Sequence, residues 1–157
     1  MSPTMENFPL AATRIPYEPV AGPVNSKLNI AVIFTSIEST LSALRKAAVL
    51  ASRLSARITL IVPQVVPYPL PVNCSPVPPD FADRQFRVIA GASPVETRVR
   101  VYLCRDRMEA LRSVLKPNSL VVIGGNRVWW PTREKRLARQ LRRAGHEVVF
   151  AEVTNAS

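Results

Sequence analysis

The positions of the prolines constrain this chain more than any other feature of its sequence. Of the 15 prolines, five lie in residues 1–26 and seven lie in residues 63–79, which leaves three for all other positions. Proline has no backbone N–H and cannot continue a helix or a central strand. We therefore predict a Pro-rich, disordered or draped N-terminal arm over residues 1–26. A single domain is predicted over residues 27–154, with a long extended connection inside it at residues 63–79.

The length and the scarcity of reactive side chains exclude several classes of protein. A chain of 157 residues can bury a sizeable core without a metal or a disulfide. Cys74 and Cys104 do not form a CxxC pair, and His146 is the single histidine. These residues favour ordinary thiols in a reducing cytoplasm, no metal site and no catalytic triad. The sequence shows neither a secretory signal nor an apolar run long enough to span a membrane. We expect a cytoplasmic protein that is not an enzyme.

Outside the Pro-rich segments, short apolar runs alternate with segments of helical periodicity. Such alternation is typical of a parallel sheet with helices on both faces. The predicted strands are 28–34, 57–62, 96–103, 120–123 and 147–153. The predicted helices are 39–54, a segment opening at Pro78-Pro79-Asp80, 106–115 and 133–144. The predicted fold class is therefore α/β, with a five-stranded, parallel, doubly wound sheet.

The third predicted strand alternates strictly between two kinds of side chain. Val99, Val101 and Leu103 lie on one face, and Arg98, Arg100 and Tyr102 lie on the other. This pattern predicts an edge strand whose second face is more exposed.

Ligands of doubly wound sheets bind beyond the carboxyl ends of the strands, at the switch point of the topology. The corresponding segments here are 34–36, 62–64 and 124–127. We predict a loop over 124–132, with Thr132 as the N-cap of the last helix.

The order of these elements resembles the universal stress protein family over about residues 28–153. The family's first apolar strand ends in Asp-Gly-Ser, where this chain has Ile33-Phe34-Thr35-Ser36, and its fourth strand ends at a glycine, matched by Gly124. The resemblance implies the family's fold, which is of the adenine-nucleotide-α-hydrolase type. It also implies a stress-associated role and a homodimer that forms through the C-terminal strand, 147–153.

The nucleotide motif of the family does not carry over. ATP-binding members have an acidic residue at the place of Phe34, and Gly-x2-Gly-x9-Gly-Ser/Thr after the fourth strand. Gly124 matches the first glycine, but Arg127 stands at the second and Leu137-Ala138 replace the final pair. Glycine in such a loop lets backbone N–H groups approach phosphate closely. The sequence therefore disfavours ATP and predicts no cofactor.

The positive charge is concentrated in one part of the chain. Residues 98–143 hold 13 basic and three acidic side chains, and this excess equals the whole net charge of +10. Arginine predominates, and its planar fork suits phosphate and carboxylate groups. The last helix carries the predicted anion surface, Lys135, Arg136, Arg139, Arg142 and Arg143. The alternative interpretation is an ordinary solvated helix face.

Trp129-Trp130 is the most unusual local feature of the sequence. Two aromatic rings in a loop can stack a base or fill an interface. The alternative is that one ring folds over the ligand cleft or packs on the domain.

Three functional interpretations follow from these residues. The first is a universal-stress-protein-like regulatory or scaffolding module with a degenerate nucleotide site. The second is a nucleotide or phosphate binder that has rebuilt its site with Arg127, Arg133 and Trp129. The third is a nucleic-acid or anionic-surface binder that uses the basic C-terminal half. The candidate ligand-binding residues are Thr35, Ser36, Gly124, Gly125, Arg127, Trp129 and Arg133.

Overall fold

The structure is a computed structural model that describes residues 28–68, 70–71, 79–116 and 119–153. The predicted N-terminal arm at 1–26 lies outside the described residues, as do Cys74 and most of the Pro-rich connection.

Strands and helices alternate along the described chain, in the predicted order. They are β1 (Asn29–Ile33), α1 (Ile37–Leu54), β2 (Arg57–Val65), α2 (Pro79–Gly91), β3 (Thr97–Cys104), α3 (Arg107–Val114), β4 (Leu120–Asn126), α4 (Arg133–Arg143) and β5 (Glu147–Val153). The strands form one sheet in the order β3-β2-β1-β4-β5, and every pair is parallel. This confirms the predicted fold class. The switch point lies between β1 and β4, since the chain leaves β1 toward β2 and later returns to its other side.

The core consists of two apolar layers, one on each face of the sheet. Ile30 and Val32 of β1 pack toward α1 and α2, whereas Ala31 and Ile33 pack toward α3 and α4. A central parallel strand is buried on both faces, which is why β1 and β4 read as continuous apolar runs rather than as alternating ones.

Strand β2 continues three residues beyond its predicted end and includes Pro63. The β1–β2 ladder ends where the Phe34 N–H donates to the Ile61 carbonyl at 2.9 Å. Backbone groups alternate in direction along a strand, so residue 63 faces β1, and the next bond of the parallel ladder would run from its N–H to the Phe34 carbonyl. Proline has no N–H to donate, so Pro63 ends the β1–β2 ladder, while β2 remains paired with β3 on its other side.

Strand β4 also exceeds its prediction, because it continues through Gly124, Gly125 and Asn126. The prediction of a loop from residue 124 was wrong for these three residues. They pair in register with Ala151–Val153 of β5, so the loop begins only at Arg127.

Strand β3 lies at one edge of the sheet, as its alternation predicted. The prediction that its second face is more exposed was wrong for Tyr102. The Tyr102 ring is buried in the layer beneath α3, because α3 covers the carboxyl half of the strand. Burial raises the pKa of the Tyr102 hydroxyl, and the neighbouring Arg100 partly opposes this change.

The ends of the helices follow local capping signals. Ser36, Asp106 and Thr132 cap α1, α3 and α4 by accepting a hydrogen bond from the backbone three residues onward. Gly145 follows α4 with a φ of 94°, a conformation that favours glycine. None of the helices in the described ranges has the length and apolar character needed to cross a membrane.

Candidate functional site

The carboxyl ends of β1 and β4 lie side by side at the switch point and bring together three of the predicted site residues, Thr35, Ser36 and Gly124. The Thr35 hydroxyl donates to the Gly124 carbonyl at 3.4 Å, and the Thr35 N–H donates to the Thr40 hydroxyl at 3.3 Å. The Ser36 hydroxyl accepts from the Ser39 N–H at 3.3 Å as the α1 cap. Each of these hydroxyl groups is therefore already engaged: that of Thr35 joins the β1–α1 turn to β4, and those of Ser36 and Thr40 accept bonds within the turn and the start of α1.

Phe34 occupies the position directly after β1 with an apolar ring. The ring is partly buried and packs on the layer formed by α1 and α2. It meets Phe86 of α2 edge to face, with ring centroids 5.2 Å apart and planes at 81°. An aromatic pair of this geometry adds to the stability gained by burial. The end of β1 consequently presents no carboxylate to a ribose, and a second apolar ring supports the first.

Gly124 and Gly125 both lie in close packing contacts within the fold. A Cβ atom on Gly124 would lie 1.7 Å from the Ser39 carbonyl oxygen, at the start of α1. A Cβ atom on Gly125 would lie 2.5 Å from the Phe150 ring and 3.1 Å from the Glu134 Cβ. Each glycine therefore lets an element approach one face of β4. This is a structural reason for the two glycines that needs no phosphate.

The loop after β4 is held against α4 and β5. The Lys135 ammonium donates to the Val128 carbonyl, and the Val128 N–H donates to the Asn126 carbonyl at 3.0 Å. Arg127, which stands at the second glycine of the family motif, pairs with Glu152 of β5 at 3.7 Å. Both side chains of this pair are exposed, so it contributes at most about 1 kcal/mol.

The two tryptophans project from this loop into solvent. Trp129 is 91% exposed and Trp130 is 54% exposed. Their rings meet edge to face, with centroids 6.0 Å apart and planes at 73°. Trp129 therefore neither folds over the cleft nor packs on the domain, and that alternative was wrong for this residue.

The five side chains of the predicted anion surface divide into two groups. Leu137, Ala138 and Leu141 anchor α4 in the core. Lys135 and Arg142 lie to one side and donate to backbone carbonyls, Arg142 to the Val148 carbonyl at 3.1 Å. The remaining side chains, Arg136, Arg139 and Arg143, share the fully exposed face of the helix, and Arg133 is exposed at its first residue.

Arg105 has a role that the sequence did not reveal. It follows β3 and donates to the carbonyls of Val66, at 2.7 Å, and of Leu70. Its guanidinium also lies 4.1 Å from the centroid of the Tyr68 ring. Arg105 thus fixes the segment after β2. The partners lie more than 30 residues away in the chain, so no local pattern indicates the contact.

Cys104 and His146 are buried and lie apart from the β1–β4 switch point. The Cys104 thiol donates weakly to the Gln64 carbonyl at 3.5 Å, and burial raises its pKa to about 11 against the opposing charge of Arg107. A thiol of this kind is a poor nucleophile at neutral pH. His146 precedes β5, at the opposite end of the sheet from the switch point, and its Nδ1 has no hydrogen-bond partner among the described residues.

No cluster of metal-ligating side chains occurs in the part of the chain that the structure describes.

Two solved structures resemble this chain in fold. One is a universal stress protein in complex with cAMP, with a TM-score of 0.53 and 19% sequence identity, matched over 82% of this chain and 98% of that one. The other is a protein from the universal stress protein family of Burkholderia pseudomallei, with a TM-score of 0.50, 21% identity and the same coverage. No protein-family model and no curated protein matches the sequence. The likeness confirms a universal-stress-protein-like fold.

Proposed function

We propose that this chain is a non-enzymatic, universal-stress-protein-like module that regulates or scaffolds other molecules in the cytoplasm. In this proposal it does not bind ATP in the manner of the family. The observation that carries the proposal is the Phe34–Phe86 pair at the end of β1. An apolar pair at this place supplies no acceptor for a ribose hydroxyl.

The other half of the expected nucleotide site supports the same proposal. Gly124 is covered by the backbone of Ser39, and Gly125 is covered by Phe150 and Glu134. Arg127 brings a side chain to the position where the family has a glycine, and its charge is directed to Glu152. These contacts therefore leave little room for a triphosphate to approach the backbone at the end of β4.

Nucleotide binding by the purified protein tests this proposal. A ligand present at about 100 times its Kd stabilises a protein by about 2.7 kcal/mol, which is roughly 5–10 °C in midpoint for a domain of this size. We expect millimolar ATP to give a much smaller shift, and we expect pyrophosphate or added salt to match or abolish it. Cyclic AMP belongs in the same series, because one structural neighbour binds it.

A specific result would instead favour a rebuilt nucleotide site. Trp129 and Arg127 lie in the same loop, and their exposure makes both available to a ligand. A salt-resistant shift that is specific for adenine and is lost in both Arg127→Ala and Trp129→Ala would contradict the first proposal. The matched control is Arg53→Ala near the carboxyl end of α1, which removes the same charge at the opposite end of the sheet from this loop.

We also propose that two copies pair through β5. This strand is the second edge of the sheet, next to α1, and a long unpaired edge is normally paired or protected. The Glu147 N–H donates to the carbonyl of Ser119, which directly precedes β4, so the backbone groups of the odd-numbered residues of β5 face β4 and those of the even-numbered ones face outward. Arg142 already occupies the outward carbonyl of Val148. The outward backbone N–H and C=O groups of Phe150 and Glu152 remain to pair with a second copy of the chain.

A proline at an outward position of β5 tests dimer formation without removing a hydrogen bond between β5 and β4 within one copy. Glu152→Pro removes an outward N–H, whereas Val149→Pro removes a bond to β4 and destabilises each copy. Glu152→Ala is the control, since it removes the same carboxylate and keeps the N–H. We expect analytical ultracentrifugation to show dimers for the parent protein and Glu152→Ala, and a larger monomer fraction for Glu152→Pro. A monomeric parent protein would refute the proposal.

A further inference from the structure

Helix α4 and the loop that precedes it combine exposed aromatic rings with a row of arginines, and the function proposed above gives a role to neither. We call these residues the Trp–Arg surface. They are Trp129, Trp130, Arg133, Arg136, Arg139 and Arg143. We propose that the Trp–Arg surface binds single-stranded nucleic acid, with a base stacked on Trp129 and the phosphates along the arginines of α4. This inference does not depend on whether the cleft binds a nucleotide.

The exposure of Trp129 is the first argument. A tryptophan side chain that is 91% exposed leaves apolar area in water without any gain for folding. Trp130 meets it edge to face, and at this exposure most of the Trp129 ring remains accessible to a ligand. Flat, open aromatic rings are the surfaces on which unpaired bases stack, with little preference for sequence.

The arginine row is the second argument. Arg136, Arg139 and Arg143 recur at intervals of three and four residues and therefore form a line on the exposed face of α4. At 1.5 Å per residue this line is about 10 Å long. It begins near the helix end to which the tryptophan loop is attached. A chain of phosphates can follow such a line, and arginine offers each phosphate a planar pair of donors.

The pattern favours nucleic acid over an anionic membrane. A helix that lies in a membrane interface turns an apolar face toward the lipid. The apolar residues of α4, Leu137, Ala138 and Leu141, are buried in the core of the domain and are not available for this purpose. Base stacking also requires bases that are not already paired, so a single strand is favoured over a duplex.

The chain offers a direct spectroscopic test, because its only two tryptophans both lie on this surface. We expect a 12-nucleotide single strand, as RNA or DNA, to quench the intrinsic fluorescence in a saturable manner at low salt. A duplex of the same sequence should quench less. Absence of quenching and of binding would overturn the proposal. Binding to phosphatidylserine vesicles without binding to the oligonucleotide would also overturn it, and would assign the surface to membranes.

Variants measured with a labelled oligonucleotide separate stacking from general attraction. Replacing an aromatic residue that stacks a base typically weakens binding by about 5- to 150-fold. We expect a loss in this range for Trp129→Ala and affinity close to the parent for Trp129→Phe, which keeps a flat ring. Equal affinity of Trp129→Ala and the parent protein would exclude stacking on this residue.

A matched pair of triple variants tests the arginine row. Each phosphate contact to a single strand contributes about 0.7 to the slope of log K against log salt. We expect the combination of Arg136→Gln, Arg139→Gln and Arg143→Gln to reduce that slope by roughly 2. The control removes the same charge from α1, on the opposite face of the sheet, with Arg45→Gln, Lys46→Gln and Arg53→Gln. Equal effects of the two triples would show only general attraction and would refute the proposed row.

Discussion

Replacing Gly124 with alanine tests whether this glycine serves packing. The added Cβ would lie 1.7 Å from the Ser39 carbonyl oxygen, about half of an ordinary contact distance. The obstacle is the helix backbone, which cannot rotate away as a side chain does, so α1 must move as a whole. Overpacking of a close-packed core typically costs 1–3 kcal/mol and occasionally more. We expect Gly124→Ala to reduce the free energy of unfolding by about 3 kcal/mol, or roughly 6–12 °C in midpoint.

Two further glycines provide internal controls for the same substitution. Gly91 ends α2, and a Cβ there meets nothing within 4 Å, so Gly91→Ala should be neutral or stabilise by up to about 1 kcal/mol. Gly125→Ala should be intermediate, because the Phe150 ring that it meets can shift.

Urea unfolding followed by far-UV circular dichroism measures all three variants. Tryptophan fluorescence is unsuitable, since both rings are already exposed in the folded protein. A loss below about 1 kcal/mol for Gly124→Ala would refute the packing argument. Equal stability of Gly124→Ala and Gly91→Ala would refute it as well.

The remaining predictions concern three other parts of the chain. Phe34→Ala should reduce the free energy of unfolding in urea by about 2 kcal/mol, which is less than the loss on truncating a fully buried phenylalanine. Phe34→Leu should reduce it less than Phe34→Ala does. Equal stability of both variants and the parent protein would contradict the role of the Phe34–Phe86 pair. In Cys74→Ser, the remaining Cys104 should react with a thiol reagent at pH 8 only after unfolding. Burial raises the pKa of the Cys104 thiol to about 11 from 9.0. The stability that the protonated thiol contributes should therefore be complete below pH 9.0 and should decline as the pH rises toward 11. A free energy of unfolding that stays constant over this pH range would contradict the prediction. Deleting residues 1–25 should leave the thermal midpoint nearly unchanged, and a loss above about 2 kcal/mol would show that the arm packs on the domain.

Much of the fold was predictable because its signals are local. The last strand, Glu147–Val153, has the bounds that its apolar run predicted, and Thr132 caps α4 as its residue type indicated. Periodicity and capping depend on residues within a few positions of one another, so the sequence alone reports them. The parallel sheet with two covered faces then follows from the alternation of strands and helices.

The candidate site was less predictable because its decisive contacts join distant residues. Phe34 could be identified as a departure from the family motif, but its partner Phe86 lies on α2, far along the chain. The side chain of Arg105 likewise acts on a segment more than 30 residues earlier. Contacts of this kind have no fixed spacing, so no sequence pattern announces them.

The order of the elements, their periodic apolar faces and the concentration of charge in residues 98–143 follow from the amino-acid sequence alone. The roles of the unusual residues depend instead on how the chain packs in three dimensions. Gly124 and Gly125 became buried strand residues because Ser39 and Phe150 lie against them. The basic side chains of α4 divided into two that bind backbone carbonyls, Lys135 and Arg142, and others that face water. The physical reason is that burial and hydrogen bonding depend on which surfaces meet in space, and the meeting of surfaces is settled only when the sheet and its helices have assembled.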